Sequence, residues 1–232
     1  MTTTKIDYSN ELVCALKGYR ALIVPDLHDN RPPHWQSLWE QALPRTNRIR
    51  MHDWHTTDWV KWRNSIIASL ICIDEPVVLI AEGFGALAAS SVVAEYPGKI
   101  IAAFFVDPAD PDKFDVRKKI PKQSLPVAAK IVVRHHTDSN AALLAALWNT
   151  DLSYASAVDP NQENSSLNYW PSGIRALNDI MDKTHRKGNE ITQARTKKIL
   201  TYLRNIQQMH HPKTAGLSTH LAKCFIEGSL KS

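Results

Sequence analysis

The stretch Val77-Val-Leu-Ile-Ala-Glu-Gly-Phe-Gly-Ala-Leu-Ala-Ala89 is the part of this chain that reads most directly as chemistry. An apolar run passes through a small-x-Gly-x-Gly turn into an alanine-rich segment. That is the sequence form of a nucleophile elbow, a sharp strand-to-helix turn that lifts one side chain above a sheet. The middle position should hold Ser, Cys or Asp; here it holds Gly83, which has no atom to attack a carbonyl. Ala81 and Gly85 flank the turn and would let strand and helix approach closely. Ser90 and Ser91 are the nearest hydroxyls, but they lie two turns along the predicted helix and read as packing residues. A phosphate-binding use of the turn is weak, because A-E-G-F-G has neither dinucleotide-binding glycine spacing nor a P-loop Lys-Ser/Thr pair. Glu82 would also repel a phosphate, and it reads as solvent-facing or ion-paired.

Other reactive side chains do not assemble by spacing. His135 and His136 are adjacent, so on a strand they face opposite ways and cannot share a metal. His210 and His211 read as a helix end. His52 and His55 flank Asp53, and single histidines near tryptophan pack or hydrogen-bond more often than they ligate. His28 is the histidine to watch as a ligand contact. No metal and no cofactor is expected. Cys14, Cys72 and Cys224 are odd in number, widely spaced and without a C-x-x-C pair. They argue against a disulfide framework or zinc site and fit a reducing cytoplasm.

Short β-branched runs alternate with amphipathic ones, the pattern of a parallel sheet covered by helices. Strands are predicted at Ala21–Val24, Arg48–His52, Pro76–Ala81, Ile100–Val106, Ala129–Arg134 and Leu152–Val158. Helices are predicted at His34–Ala42, Asp58–Leu70, Gly85–Tyr96, Asn140–Trp148 and Ser172–Asp182, with Asp58 and Ser139 placed as N-caps. Lys113–Pro126 reads as a surface loop. The expected fold is an α/β three-layer sandwich around a mostly parallel sheet of about six strands.

With 232 residues, 44% of them hydrophobic, the chain can bury one sizeable core. The start, MTTTKIDYSNEL, has no apolar run of a secretory signal, and no apolar run approaches the ~20 residues of a membrane span. The net charge of +5 is unevenly distributed. From Lys183 onward there are 10 Lys/Arg against 2 Asp/Glu, whereas residues 1–182 carry 18 against 21. The expected organisation is therefore a body over 1–182 and a basic, helical extension over 183–232, with HRKGNE as a linker. Ile191, Ala194, Leu200, Leu203 and Ile206 recur at roughly helical spacing there. The extension reads as a docked helix with a solvated basic side, or as an extended arm that meets an acidic partner, nucleic acid or a membrane surface. No nucleic-acid motif accompanies the charge.

Several motifs carry a resemblance. Val24-Pro-Asp-Leu-His28, His34-Trp-Gln-Ser-Leu-Trp-Glu40, Asp53-Trp54, Trp59-x-x-Trp62 and Trp170-Pro171-x-Gly173 follow one another in order. The segment they span resembles the retinoblastoma-binding protein 9/YdeN family of α/β-hydrolase-fold serine hydrolases. The resemblance implies a Ser–His–Asp triad and an oxyanion hole partly formed by the loop after the first strand. It also implies where this chain departs. The nucleophile position maps onto Gly83. The triad acid maps onto Asp138, which alone also reads as a capping or loop-organising carboxylate. The base maps at or next to Pro160, and no His occurs between His136 and His185. Asp26 stands where the oxyanion loop usually has Gly, and a carboxylate there opposes a developing oxyanion.

The expectation that follows is a non-catalytic relative, a pseudoenzyme that binds a small molecule or a protein. Its crevice candidates are Asp26, His28, Glu82, Gly83 and Phe84. The alternatives are an enzyme with acid–base chemistry by His28 or the carboxylates, and a regulatory partner in which the basic extension is the working part.

Overall fold

A computed structural model describes residues 8–28, 34–134, 139–154 and 170–209. The elements run α1 (Tyr8–Ala15), β1 (Arg20–Val24), α2 (Trp35–Ala42), β2 (Thr46–Arg48), α3 (Trp59–Ile71) and β3 (Val77–Glu82). They continue as α4 (Gly83–Glu95), β4 (Ile100–Val106), β5 (Ala128–Val133), α5 (Ser139–Trp148), β6 (Asp151–Tyr154) and α6 (Pro171–Met209). The six strands form one parallel sheet in the order β2-β1-β3-β4-β5-β6. The chain divides into two compact units, the first ending at Thr184 and the second beginning at His185.

The central strand β3 is buried at all six positions. It is apolar up to Glu82, as a parallel strand covered on both faces must be. Successive side chains alternate between two cores. Leu79 and Ala81, with Phe105 and Ile131, pack against Trp62, Leu87 and Leu144 of α3, α4 and α5. Val78 and Ile80, with Phe104 and Val132, pack against Leu12, Trp39 and Ile174 of α1, α2 and α6. The result is the expected three-layer α/β sandwich.

The motif Trp170-Pro-x-Gly173 has a mechanical explanation. Trp170 has φ +54 and folds its ring back over the start of α6, while Pro171 takes the first helical position, where its missing N–H costs nothing. A Cβ on Gly173 would lie 2.2 Å from the Trp170 ring. That ring in turn packs against Trp35 and Trp39, with centroids 4.9 and 6.0 Å apart. Three of the sequence's tryptophan motif positions therefore form one buried aromatic cluster.

Several boundaries differ from expectation. β2 is Thr46–Arg48 rather than 48–52, because its only neighbour, β1, ends at Val24 and the ladder closes at Ile23↔Arg48. The following Pro25 has no N–H to extend it. α4 begins at Gly83, two residues early, so strand and helix meet without a connecting residue. α1 was not foreseen, since Leu12 is the only buried side chain among its described residues. The expected HRKGNE linker is helical, inside α6; with Gly188 φ not among the positive values, nothing there interrupts the turn. The part of the expected sixth strand after Tyr154 lies outside the described residues.

Gly173→Ala should lower stability by about 1–3 kcal/mol through overpacking against Trp170, read as a reduced urea midpoint with an unchanged slope. An unchanged midpoint would contradict the packing described.

Candidate functional site

The sheet order itself creates the site. From β1 the chain passes through α2 to β2 on one side, and from β3 through α4 to β4 on the other. A crevice opens where neighbouring connections depart in opposite directions, beyond the carboxyl ends of the strands. β1 and β3 pair with Val24 opposite Ala81. Two residues further along each chain, Asp26 and Gly83 are level across that crevice.

Gly83 has φ +57, the left-handed geometry of an elbow. A Cβ on it would fall 1.9 Å from Cγ and 2.0 Å from Oδ1 of Asp26. The Asp26 carboxylate thus fills the space in which a nucleophile's side chain would begin. Oδ1 of Asp26 accepts the Phe84 N–H at 2.7 Å. In an elbow of this kind the N–H after the nucleophile is one of the oxyanion donors. Here Asp26 holds it, and the carboxylate also suits the positive end of α4. Glu82, at the N-cap position, makes no side-chain cap bond, so this tertiary carboxylate takes over the duty. Close approach is possible because a Cβ on Gly85 would lie 2.0 Å from the Pro25 carbonyl oxygen; only glycine fits.

Below the elbow lies a charge network. Glu82 is 3% exposed and does not line the crevice; it is ion-paired, one of its two expected states. Its Oε1 accepts from Arg134 Nη2 at 2.5 Å, and its Oε2 lies 3.2 Å from His34 Nε2. Arg134 Nε also donates to Asp107, whose Oδ1 accepts the Arg134 backbone N–H at 2.9 Å. Burial works against the Arg134 charge, but the Glu82 and Asp107 carboxylates outweigh it and raise the guanidinium pKa above its ordinary value. His34 Nδ1 accepts the Gln36 N–H, which leaves the proton on Nε2 to face Glu82. Gln36 Nε2 bonds the Val24 carbonyl at 3.3 Å and ties α2 to the end of β1. The His-Trp-Gln motif therefore anchors the site from both sides.

The Phe84 side chain is not a crevice residue either. Its ring is fully buried and meets Trp62 and Phe114 edge-on at 5.5 and 5.0 Å. Only its backbone N–H serves the site. Ser90 and Ser91 donate to the Leu87 and Ala88 carbonyls of their own helix and stay buried. His28, exposed at φ +76, brings its Nδ1 to 2.7 Å from His55 Nδ1. Asp53 accepts the His55 N–H in a local turn. Among the described residues no group of three or more His, Cys, Asp or Glu could hold a metal. Asp138, Pro160, His135 and His136 lie outside the described residues.

His34, Asp107 and Arg134 were not singled out from the sequence as site residues. A signal existed for two of them: Asp107 and Arg134 directly follow β4 and β5, at the carboxyl edge where such sheets build their sites. No sequence spacing links either one to Glu82.

The parallel sheet, its switch point and the glycine elbow define an α/β-hydrolase-like protein. The family model for serine hydrolases matches residues 21–179, and the chain belongs to that family. Among solved structures it is similar to a protein described as a YdeN-like hydrolase from Pectobacterium atrosepticum. That match has 27% identity and a TM-score of 0.66, covering 77% of this chain and 98% of the other. It shares its fold with the ydeN gene product of B. subtilis at 11% identity and a TM-score of 0.51, over 71% of this chain and 99% of that one. No curated protein matches the chain.

Gly83→Ser should cost about 3 kcal/mol, from the left-handed backbone and the collision with Asp26. The cost should shrink by about 1 kcal/mol or more when Asp26→Gly is already present. A thermal-denaturation double-mutant cycle reads this coupling, and strict additivity would show that the two positions do not compete for space.

Proposed function

We propose that this chain is a non-hydrolytic member of the serine hydrolase family that acts by binding at the switch-point crevice. One observation carries the reading: the Asp26 carboxylate stands where a nucleophile's side chain would start and takes the Phe84 N–H. Acyl transfer needs an attacking atom and free donors for the oxyanion. Asp26 removes the space for the first and occupies one of the second. The lack of histidine between His136 and His185 supports the same reading, since a restored serine would find no base in that stretch.

The crevice keeps a ligand's worth of polar chemistry. Oδ2 of Asp26 has no hydrogen-bond partner among the described residues. His28 lies exposed two residues further along the same loop, against His55 from the segment between β2 and α3. A carboxylate in this place prefers an N–H or ammonium where a hydrolase would receive a carbonyl oxygen. The ligand is therefore a small molecule or chain segment that presents a hydrogen-bond donor.

Acid–base chemistry at the rim is the second reading, favoured by the His28–His55 contact. If Nδ1 of one ring donates to the other, Nε2 of His28 is left for proton transfer.

A fluorophosphonate probe should label neither the wild-type protein nor Gly83→Ser, as read by intact-mass spectrometry. Stoichiometric labelling of the wild type would overturn the binding reading. Hydrolysis of p-nitrophenyl esters that vanishes in His28→Ala would replace it with the second.

A further inference from the structure

The second unit carries a different kind of surface. From Ile191 to Ile226 the sequence has no Asp or Glu. Within that stretch the described part of α6 holds Arg195, Lys197, Lys198 and Arg204, all exposed. None of the four has an ion pair among the described residues. An ordinary solvated helix offsets its lysines with carboxylates one turn away. This one leaves its charge for something outside the helix.

The charge is accompanied by exposed apolar side chains. Ile199 is 46% and Tyr202 67% exposed. At helical spacing Arg195, Ile199 and Tyr202 share a face, with Lys198 at its edge one turn before Tyr202. Lys197 and Arg204, seven residues apart, share the opposite face. Nucleic acid would use the cations but has no use for an isoleucine between them. A bilayer interface uses both: its headgroups take the cations, its acyl boundary the apolar side chains, and a tyrosine sits well at headgroup level.

We infer that α6, within residues 185–209, is a docking surface for an anionic lipid bilayer, lying in the interface with Ile199 and Tyr202 inserted. No described helix is long and apolar enough to cross a membrane, so the binding is peripheral. Long Lys and Arg side chains at the edge of such a face reach back to the headgroups.

Flotation of the full chain with lipid vesicles tests this. The protein should bind phosphatidylcholine vesicles containing phosphatidylserine and not those of phosphatidylcholine alone. Binding should weaken by about fivefold for each of Arg195 and Lys198 removed, and by less for Lys197 or Arg204 on the opposite face. Ile199→Ser/Tyr202→Ser keeps every charge and replaces only exposed side chains, so the helix should persist by circular dichroism. It should nevertheless bind at least about tenfold more weakly. Failure to bind anionic vesicles would overturn the inference. So would undiminished binding by the double variant, or binding to single-stranded RNA with none to vesicles.

Discussion

Parallel pairing of β1 with β3, with Val24 opposite Ala81, is the constraint from which the site follows. Because the chain winds away from these two strands in opposite directions, their carboxyl ends face an open crevice and not a helix. The register then decides which residues meet. Asp26 and Gly83 are far apart in sequence, yet each lies two residues beyond a paired position. A slip of one residue in that ladder would turn every side chain of β1 to the other core. The two apolar layers that enforce the register therefore also fix the site.

Given that register, steric exclusion organises the rest. The elbow needs a left-handed residue, α4 must come close to Pro25, and the helix start needs a partner for the Phe84 N–H. In this chain the partner comes from Asp26, whose carboxylate leaves no room for a Cβ at residue 83. Two departures that look independent in sequence thus become one arrangement: with Asp26 in place, glycine is the residue that fits. The charge network beneath is a separate support. Arg134 balances Glu82 and Asp107, so the end of β3 carries a buried carboxylate without an unpaired charge.

Much of the fold was legible because its signals are local. The apolar run of β3, the Asp58 N-cap that accepts from Val60 and Lys61, and the glycine turn all read directly. The tryptophan motifs also marked real structure, since Trp35, Trp39 and Trp170 pack together and Trp62 backs Phe84. Gly83 and Asp26 were each identifiable as unusual, but their mutual exclusion depends on a strand register that no local pattern encodes. For the same reason Glu82 could be read only as solvent-facing or ion-paired, its partners Arg134 and His34 lying on other elements. Phe84 was misread as a crevice residue because its backbone and its ring serve different places. Within α6, HRKGNE has the composition of a linker, yet the helix runs through it.

The central claim is that the Asp26 carboxylate holds the Phe84 amide at the elbow, and the Phe84 resonance in an ¹⁵N–¹H NMR spectrum tests it most directly. A charge-assisted bond of this length shifts an amide proton downfield and slows its exchange with water. In the wild type the Phe84 amide should be downfield and slow to exchange; in Asp26→Ala it should move upfield and exchange faster. A Phe84 amide that is unchanged in shift and exchange in Asp26→Ala would contradict the account.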